Sequence, residues 1–163
     1  MKVEFELSNA VFEKWLKYKK KSGFSHDSSA LHNLLEKTIS DKDLLDALYE
    51  SASCVIPSEI LTETQKDIFN NIRYFFCGCE VCETAGGHAD KKSWEIGISR
   101  KHFDTMLRSG FPVPIGILSV IGTFVHEITH IIYPNLDENG VIEKTARLWT
   151  EGMQRIAHEI KGL

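Results

Sequence analysis

Residues 115–133 constrain this chain more than any other stretch. From Ile115 to Val125 it runs apolar for about 11 residues, "IGILSVIGTFV", then reads His126, Glu127, Ile128, Thr129, His130, then "IIY". A membrane span needs about 20 apolar residues, so a buried helix is expected, from about Pro114 to Tyr133, with Pro134 as its stop. A helix that is apolar almost all round belongs in a core. Two imidazoles and a carboxylate near its end carry a large desolvation cost unless something binds them.

Their spacing says what that something is. Helical residues four apart are rotated by about 400°, so His126 and His130 project from one face, a turn apart. Both rings can converge on one metal ion at about 2.0–2.1 Å. Glu127 lies about 100° further round, badly placed as a ligand but within reach of a water on the metal, as a general base requires. With seven His and fifteen Glu in 163 residues, chance gives roughly 0.03 copies of this pentapeptide. The competing reading is a satisfied polar cluster in a core helix.

The pentapeptide resembles the zincin metallopeptidases. That resemblance implies a catalytic zinc held by His126, His130 and a third, downstream residue, with water in the fourth position. The extension HExxHxxGxxH of one zincin branch is absent, because Ile132 to Asn135 offer neither Gly nor His. The chain is therefore more similar to the gluzincin branch, in which a Glu on the following helix is the third ligand. The resemblance carries that role to Glu143, thirteen residues beyond His130, with Asp137, Glu138 and Glu151 as alternatives. It also implies peptide-bond hydrolysis, with Glu127 as general base on the zinc-bound water. Tyr133, Arg147 and His158 have suitable chemistry for an oxyanion donor. "SWEIGIS" reads as a strand, and in this family an edge strand borders the cleft, so Trp94, Glu95, Ile96 and Gly97 become candidates for pairing with an extended substrate. The alternative is a core strand.

A second cluster lies upstream. Cys77, Cys79 and Cys82 fall within six residues and His88 follows six later. Gly78, Gly86 and Gly87 allow the tight backbone of a metal knuckle, and the CxxC pair is a common half-site for structural zinc. His88 or Cys54 would supply the fourth ligand. A redox disulfide and three packed thiols are the alternatives.

The N-terminal 40 residues stand apart. They carry seven Lys against five acids, net +2, so the rest of the chain, which totals −4, carries −6. "KVEFELS" alternates like a half-buried strand, and two helical patterns follow it around Gly23. This order resembles a ribbon-helix-helix module, which implies a homodimer through paired N-terminal strands. The outward strand positions Lys2, Glu4 and Glu6 argue against nucleic acid as the main partner, since carboxylates repel phosphate. A helical hairpin packed on the remainder is the other reading. "MKVEFELS" has no signal-peptide pattern. Cytoplasmic location without a membrane is expected, and four Cys there favour metal or free thiols.

Between the two regions, Ser40 caps a third helix and "SEILTETQKDIFNNIRYFF" carries helically spaced apolar residues, read as one long helix. Ser99 caps "RKHFDTMLRS", "NLDENG" is a turn, and the last helix runs from about Val141 to Lys161. The expected fold is α+β and mainly helical: residues 1–40 as a strand-helix-helix module, residues 41–163 as a compact zincin-like domain. Within it stand an active-site helix, a short edge strand and a C-terminal helix. The expected function is a zinc-dependent metalloendopeptidase acting on peptides or unfolded protein. The rivals are a non-catalytic metal-binding regulator and a DNA-binding ribbon-helix-helix protein.

Overall fold

The division of the chain into two units falls between Ile39 and Ser40. The computed structural model describes residues 40–108 and 113–161, all within the second unit. The readings made on residues 1–39, with the dimer and nucleic-acid contacts attached to them, lie outside the described residues.

Helix α1 (Asp41–Val55) begins where Ser40 accepts a hydrogen bond from the Asp43 backbone N–H, and it buries Leu45, Leu48, Ala52 and Val55 on one face. A 3-10 turn (Ser58–Ile60) follows Pro57. Helix α2 (Glu63–Asn70) starts on a reciprocal capping box between Thr62 and Gln65. Strand β1 (Arg73–Cys77), helix α3 (Glu80–Ala85), strand β2 (Gly87–Asp90) and strand β3 (Glu95–Ser99) come next. Helix α4 (Arg100–Arg108) opens with the His102 N–H donating to Ser99 Oγ at 3.0 Å. Helices α5 (Val113–Ile132) and α6 (Glu138–Lys161) complete the described chain.

The three strands form one mixed sheet in the order β1-β3-β2. β1 runs parallel to β3, with Tyr74 opposite Ile96 and Phe76 opposite Ile98. β2 runs antiparallel to β3, with Gly87 opposite Ile98 and His88 opposite Gly97. Successive residues of a strand face opposite ways. Tyr74, Phe76, Gly87, Ala89, Ile96 and Ile98 therefore share the face turned toward α5, and Phe75, Cys77, His88 and Gly97 share the other.

Helix α5 is the centre of the domain. Val120, Phe124, Val125, Ile128, Ile131 and Ile132 are buried, packed among α1, the sheet and α6. Its window Ile115–Ile132 has a mean hydropathy of 1.6, enough to cross a membrane by length and composition alone, and 56% of that window is buried within the fold. The end of the helix is held by Gln65, whose Nε2 donates to the Ile132 carbonyl at 2.9 Å. That bond satisfies one of the carbonyls a helix terminus leaves open.

The mainly helical α+β architecture agrees with the sequence reading, with three corrections. "RYFFC" is a strand, not the end of a long helix: Asn71 closes α2, and the chain leaves it extended. β3 consequently has a partner on each side and is the central strand, not an edge. The last helix starts at Glu138, three residues before Val141, because the Asp137 carboxylate accepts from the Gly140 N–H at 2.8 Å and caps it.

Helices α1 and α6 cross closely at Gly152. A Cβ there would stand 2.2 Å from the Val55 carbonyl oxygen and 2.8 Å from the Val55 Cα, both backbone atoms that cannot swing aside. Gly152→Ala is expected to destabilise the domain by about 1–3 kcal/mol through forced separation of the two helices, measured as a lower denaturant midpoint.

Candidate metal centre

His126 and His130 stand one turn apart on α5, their ring centroids 4.8 Å apart and their planes at 83°. The two Nε2 atoms face each other at 3.2 Å. Glu138, in the first turn of α6, closes the triangle: Oε1 is 3.2 Å from His126 Nε2, and Oε2 is 3.2 Å from His130 Nε2. Ligands held tetrahedrally at about 2.0–2.1 Å from one ion stand about 3.3–3.4 Å from each other. The two imidazole nitrogens stand at about that separation, and each has one Glu138 oxygen at the same distance, Oε1 for His126 and Oε2 for His130. This donor group could hold a metal ion. Desolvation, followed by the charge of His126, holds the His130 imidazole below its ordinary pKa, and a neutral ring is the form that ligates.

The centre is open on one side. Glu138 is 64% exposed, while the two imidazoles are 25% and 16% exposed. Glu127 lies inward and is only 5% exposed. Burial, with the charge of Glu138 adding to it, pushes its carboxyl up to about 7. A Cβ on Gly87 would stand 2.9 Å from Thr123 Cγ2 and 3.2 Å from Glu127 Oε1, so a bare glycine lets β2 lie directly against this carboxylate. The cleft in front of the group has a volume of about 440 Å³ and runs between α3, β2 and the start of α6.

Comparison with protein families, with curated proteins and with solved structures finds no match for this chain.

The sequence-predicted residues separate into those brought together and those left apart. His126 and His130 bring their Nε2 atoms together, and Glu127 lines the same cleft. Glu143 does not join them; Glu138 stands in the place expected of Glu143, and Glu143 is exposed. The physical reason is the start of α6. With Asp137 as cap, Glu138 occupies the first turn, and Glu143, five residues on, is rotated about 140° away from it. Asp137 is occupied in capping, and Glu151 pairs with Arg147 at 2.7 Å.

Tyr133, Arg147 and His158 do not line the cleft. Tyr133 lies beneath the Lys144 ammonium, 4.7 Å from its ring centroid, and His158 is exposed. Lys91 is the cation lining the cleft among the described residues; its Nζ donates to the Pro134 carbonyl at 3.2 Å. No spacing pointed to it, because it comes from the β2–β3 turn and meets α5 only in the folded chain.

Nor do Trp94, Glu95, Ile96 and Gly97 form an edge. Trp94 precedes the strand with a φ of 54°, Glu95 pairs with Arg73 at 3.0 Å, and Ile96 is fully buried. The strand bordering the cleft is β2. Ser99 N–H donates to Gly86 O at 2.8 Å, and bonding in an antiparallel pair alternates residue by residue. That alternation turns the main-chain N–H and C=O groups of Gly87 and Ala89 away from β3.

The cysteine cluster also assembles. Cys77, Cys79, Cys82 and His88 place one donor atom each within 4.8 Å of one another and form a second group that could hold a metal ion. Cys54 is exposed on α1 and takes no part.

Proposed function

We propose that this protein is a zinc-dependent metallopeptidase, with His126, His130 and Glu138 as the ligands and Glu127 as the general base. The observation that carries the reading is the triangle of donors beside a buried carboxylate, open to a cleft that a strand edge borders. Three protein ligands and an open position are the usual arrangement of a catalytic zinc. When bound, the ion supplies Lewis acidity toward a carbonyl oxygen and makes water a nucleophile near neutral pH.

The remaining work falls to the chain. Glu127 accepts the proton of the attacking water and passes it to the leaving amine. The free edge of β2 at Gly87 and Ala89 offers a donor and an acceptor to an extended peptide, which would lie across the centre as an added strand. Lys91 brings positive charge to the same cleft, where the developing oxyanion needs it. A substrate bound through its own backbone has to be unfolded there, which favours disordered protein segments over folded domains.

The test uses the full chain and an unfolded, carboxymethylated protein. New peptide N-termini are expected to appear, to stop on chelation and to return with zinc. Glu138→Ala is expected to weaken zinc binding at this centre by more than the roughly 10–100-fold typical of losing an outer-shell partner, while Glu143→Ala leaves it unchanged. A protein that holds its full zinc yet generates no new N-termini would sink the proposal. The opposite ranking of the two Glu variants would return the ligand role to Glu143.

A further inference from the structure

On the face of the sheet away from α5, we propose that Cys77, Cys79, Cys82 and His88 hold a second zinc ion in a closed, structural site. The metal assignment rests on this cluster alone and not on the hydrolytic reading.

The donors come from three short elements. Cys77 ends β1, Cys79 caps α3, Cys82 lies in its first turn, and His88 sits in β2. His88 Nδ1 lies 3.0 Å from Cys82 Sγ and 3.7 Å from Cys79 Sγ. Around a tetrahedral ion with Zn–S of about 2.3 Å and Zn–N of about 2.0 Å, sulfur–nitrogen edges are about 3.5 Å and sulfur–sulfur edges about 3.8 Å. The two observed sulfur–nitrogen distances bracket the expected edge, and all four donor atoms lie within 4.8 Å of one another. Backbone N–H groups serve it as well. Cys79 N–H donates to Cys77 Sγ at 3.3 Å, and Cys82 N–H donates to Cys79 Sγ at 3.4 Å. Such bonds stabilise sulfur in its charged, ligating form.

The sheet beneath is shaped for the cluster. A Cβ on Gly97 would stand 2.4 Å from His88 Cε1, 2.7 Å from His88 Nδ1 and 3.0 Å from Cys77 Cβ. Glycine at this central strand position leaves the imidazole room to lie over β3 and meet the thiols. Three thiolates select zinc over the hard cations that oxygen ligands prefer. Four protein donors leave no place for a reacting water, so the site is structural.

The local chain also needs such a clamp. α3 has six residues and buries only Cys82, and a helix that short has little stability of its own. An ion holding β1, α3 and β2 would fasten the short α3 to the sheet. It also reaches the first centre. Gly87 lies against Glu127 while His88, the next residue, faces the cysteines, so the second ion would fix from behind the strand that borders the cleft.

Cobalt replacement in the full chain tests this. Metal-stripped protein reloaded with Co(II) under reducing conditions is expected to take about two ions and to show a near-ultraviolet thiolate-to-cobalt charge-transfer band. A His126→Ala, His130→Ala double variant is expected to lose about one ion and keep that band. Cys79→Ser is expected to lose most of the band and retain the other ion. Gly97→Ala, which leaves every ligand in place, is expected to weaken the thiolate site by about 10–100-fold by crowding His88. The proposal is overturned if the wild-type band is missing, if iron occupies the cluster, or if two of these cysteines form a disulfide. It is also overturned if all four thiols alkylate without release of metal. Those results would leave the peptidase reading standing. Loss of hydrolysis with the band intact would count against the peptidase reading alone.

Discussion

Glu127→Gln is expected to slow peptide hydrolysis by about 10²–10⁴-fold, the range over which a positioned general base acts, with zinc content unchanged. The substitution keeps size and shape but cannot accept a proton. Glu127 touches neither imidazole as a ligand, so the donors His126, His130 and Glu138 stay as they are. Equal zinc with lost turnover, measured by metal analysis beside a peptide assay, separates this role from a ligand role. Comparable loss of zinc and activity would make Glu127 part of the metal cage.

The same variant has a stability consequence with a definite sign. Burial, with the Glu138 charge adding to it, pushes the Glu127 carboxyl of the folded chain up to about 7, against an ordinary value of 4.5. The folded state therefore holds a proton that the unfolded state releases, and stability falls as pH rises from about 4.5 to 7. Above that window the full penalty applies, at most about 3 kcal/mol for a shift of this size. Metal-free Glu127→Gln should match the wild type in thermal melts near pH 4.5 and melt higher above pH 7. A wild-type advantage above pH 7 would show that the buried carboxylate is better solvated than its surroundings imply.

Phe124→Ala is expected to cost about 3–5 kcal/mol of folding stability. Phe124 is fully buried, two residues before His126. Its ring meets Tyr49 of α1 edge-on at 6.0 Å and Tyr74 of β1 edge-on at 6.0 Å, and those two tyrosines stack at 4.4 Å. The site is braced from three elements, so it cannot collapse easily once the ring is gone. Denaturant titration reads the loss as a lower midpoint. Because His126 and His130 remain on the same helix, the surviving folded protein should bind zinc as the wild type does.

What could be read in the sequence follows from local rules. The four-residue spacing of His126 and His130 fixed their common face, Pro134 marked the end of α5, and Ser40 and Ser99 announced their helices as caps. The strand "EIGIS" showed its alternation, and the CxxC pair announced a compact thiol cluster. What escaped depended on distant partners or on competing patterns. Ile68, Phe69, Ile72, Phe75 and Phe76 sit at helical spacing, so a strand after Asn71 was hidden inside an apolar run, and with it the central position of β3. The choice between Glu138 and Glu143 turned on a start point for α6. The signal was present, since Asp137 is a good N-cap residue, but "NLDENG" also reads as a turn. Lys91 and the close approach of Gly87 to Glu127 exist only once the sheet lies on α5.

The apolar character of α5 carries a consequence for biosynthesis. A segment this oily, exposed on a nascent chain, invites aggregation and capture by chaperones. The order of elements limits that exposure. The ribosome delivers α1 and all three strands before it delivers α5, so most of the surface that shelters Phe124, Val125 and Ile128 emerges ahead of them. Among the described elements α6 alone follows it, bringing Glu138, so the triangle of donors is the last part of the centre that translation completes.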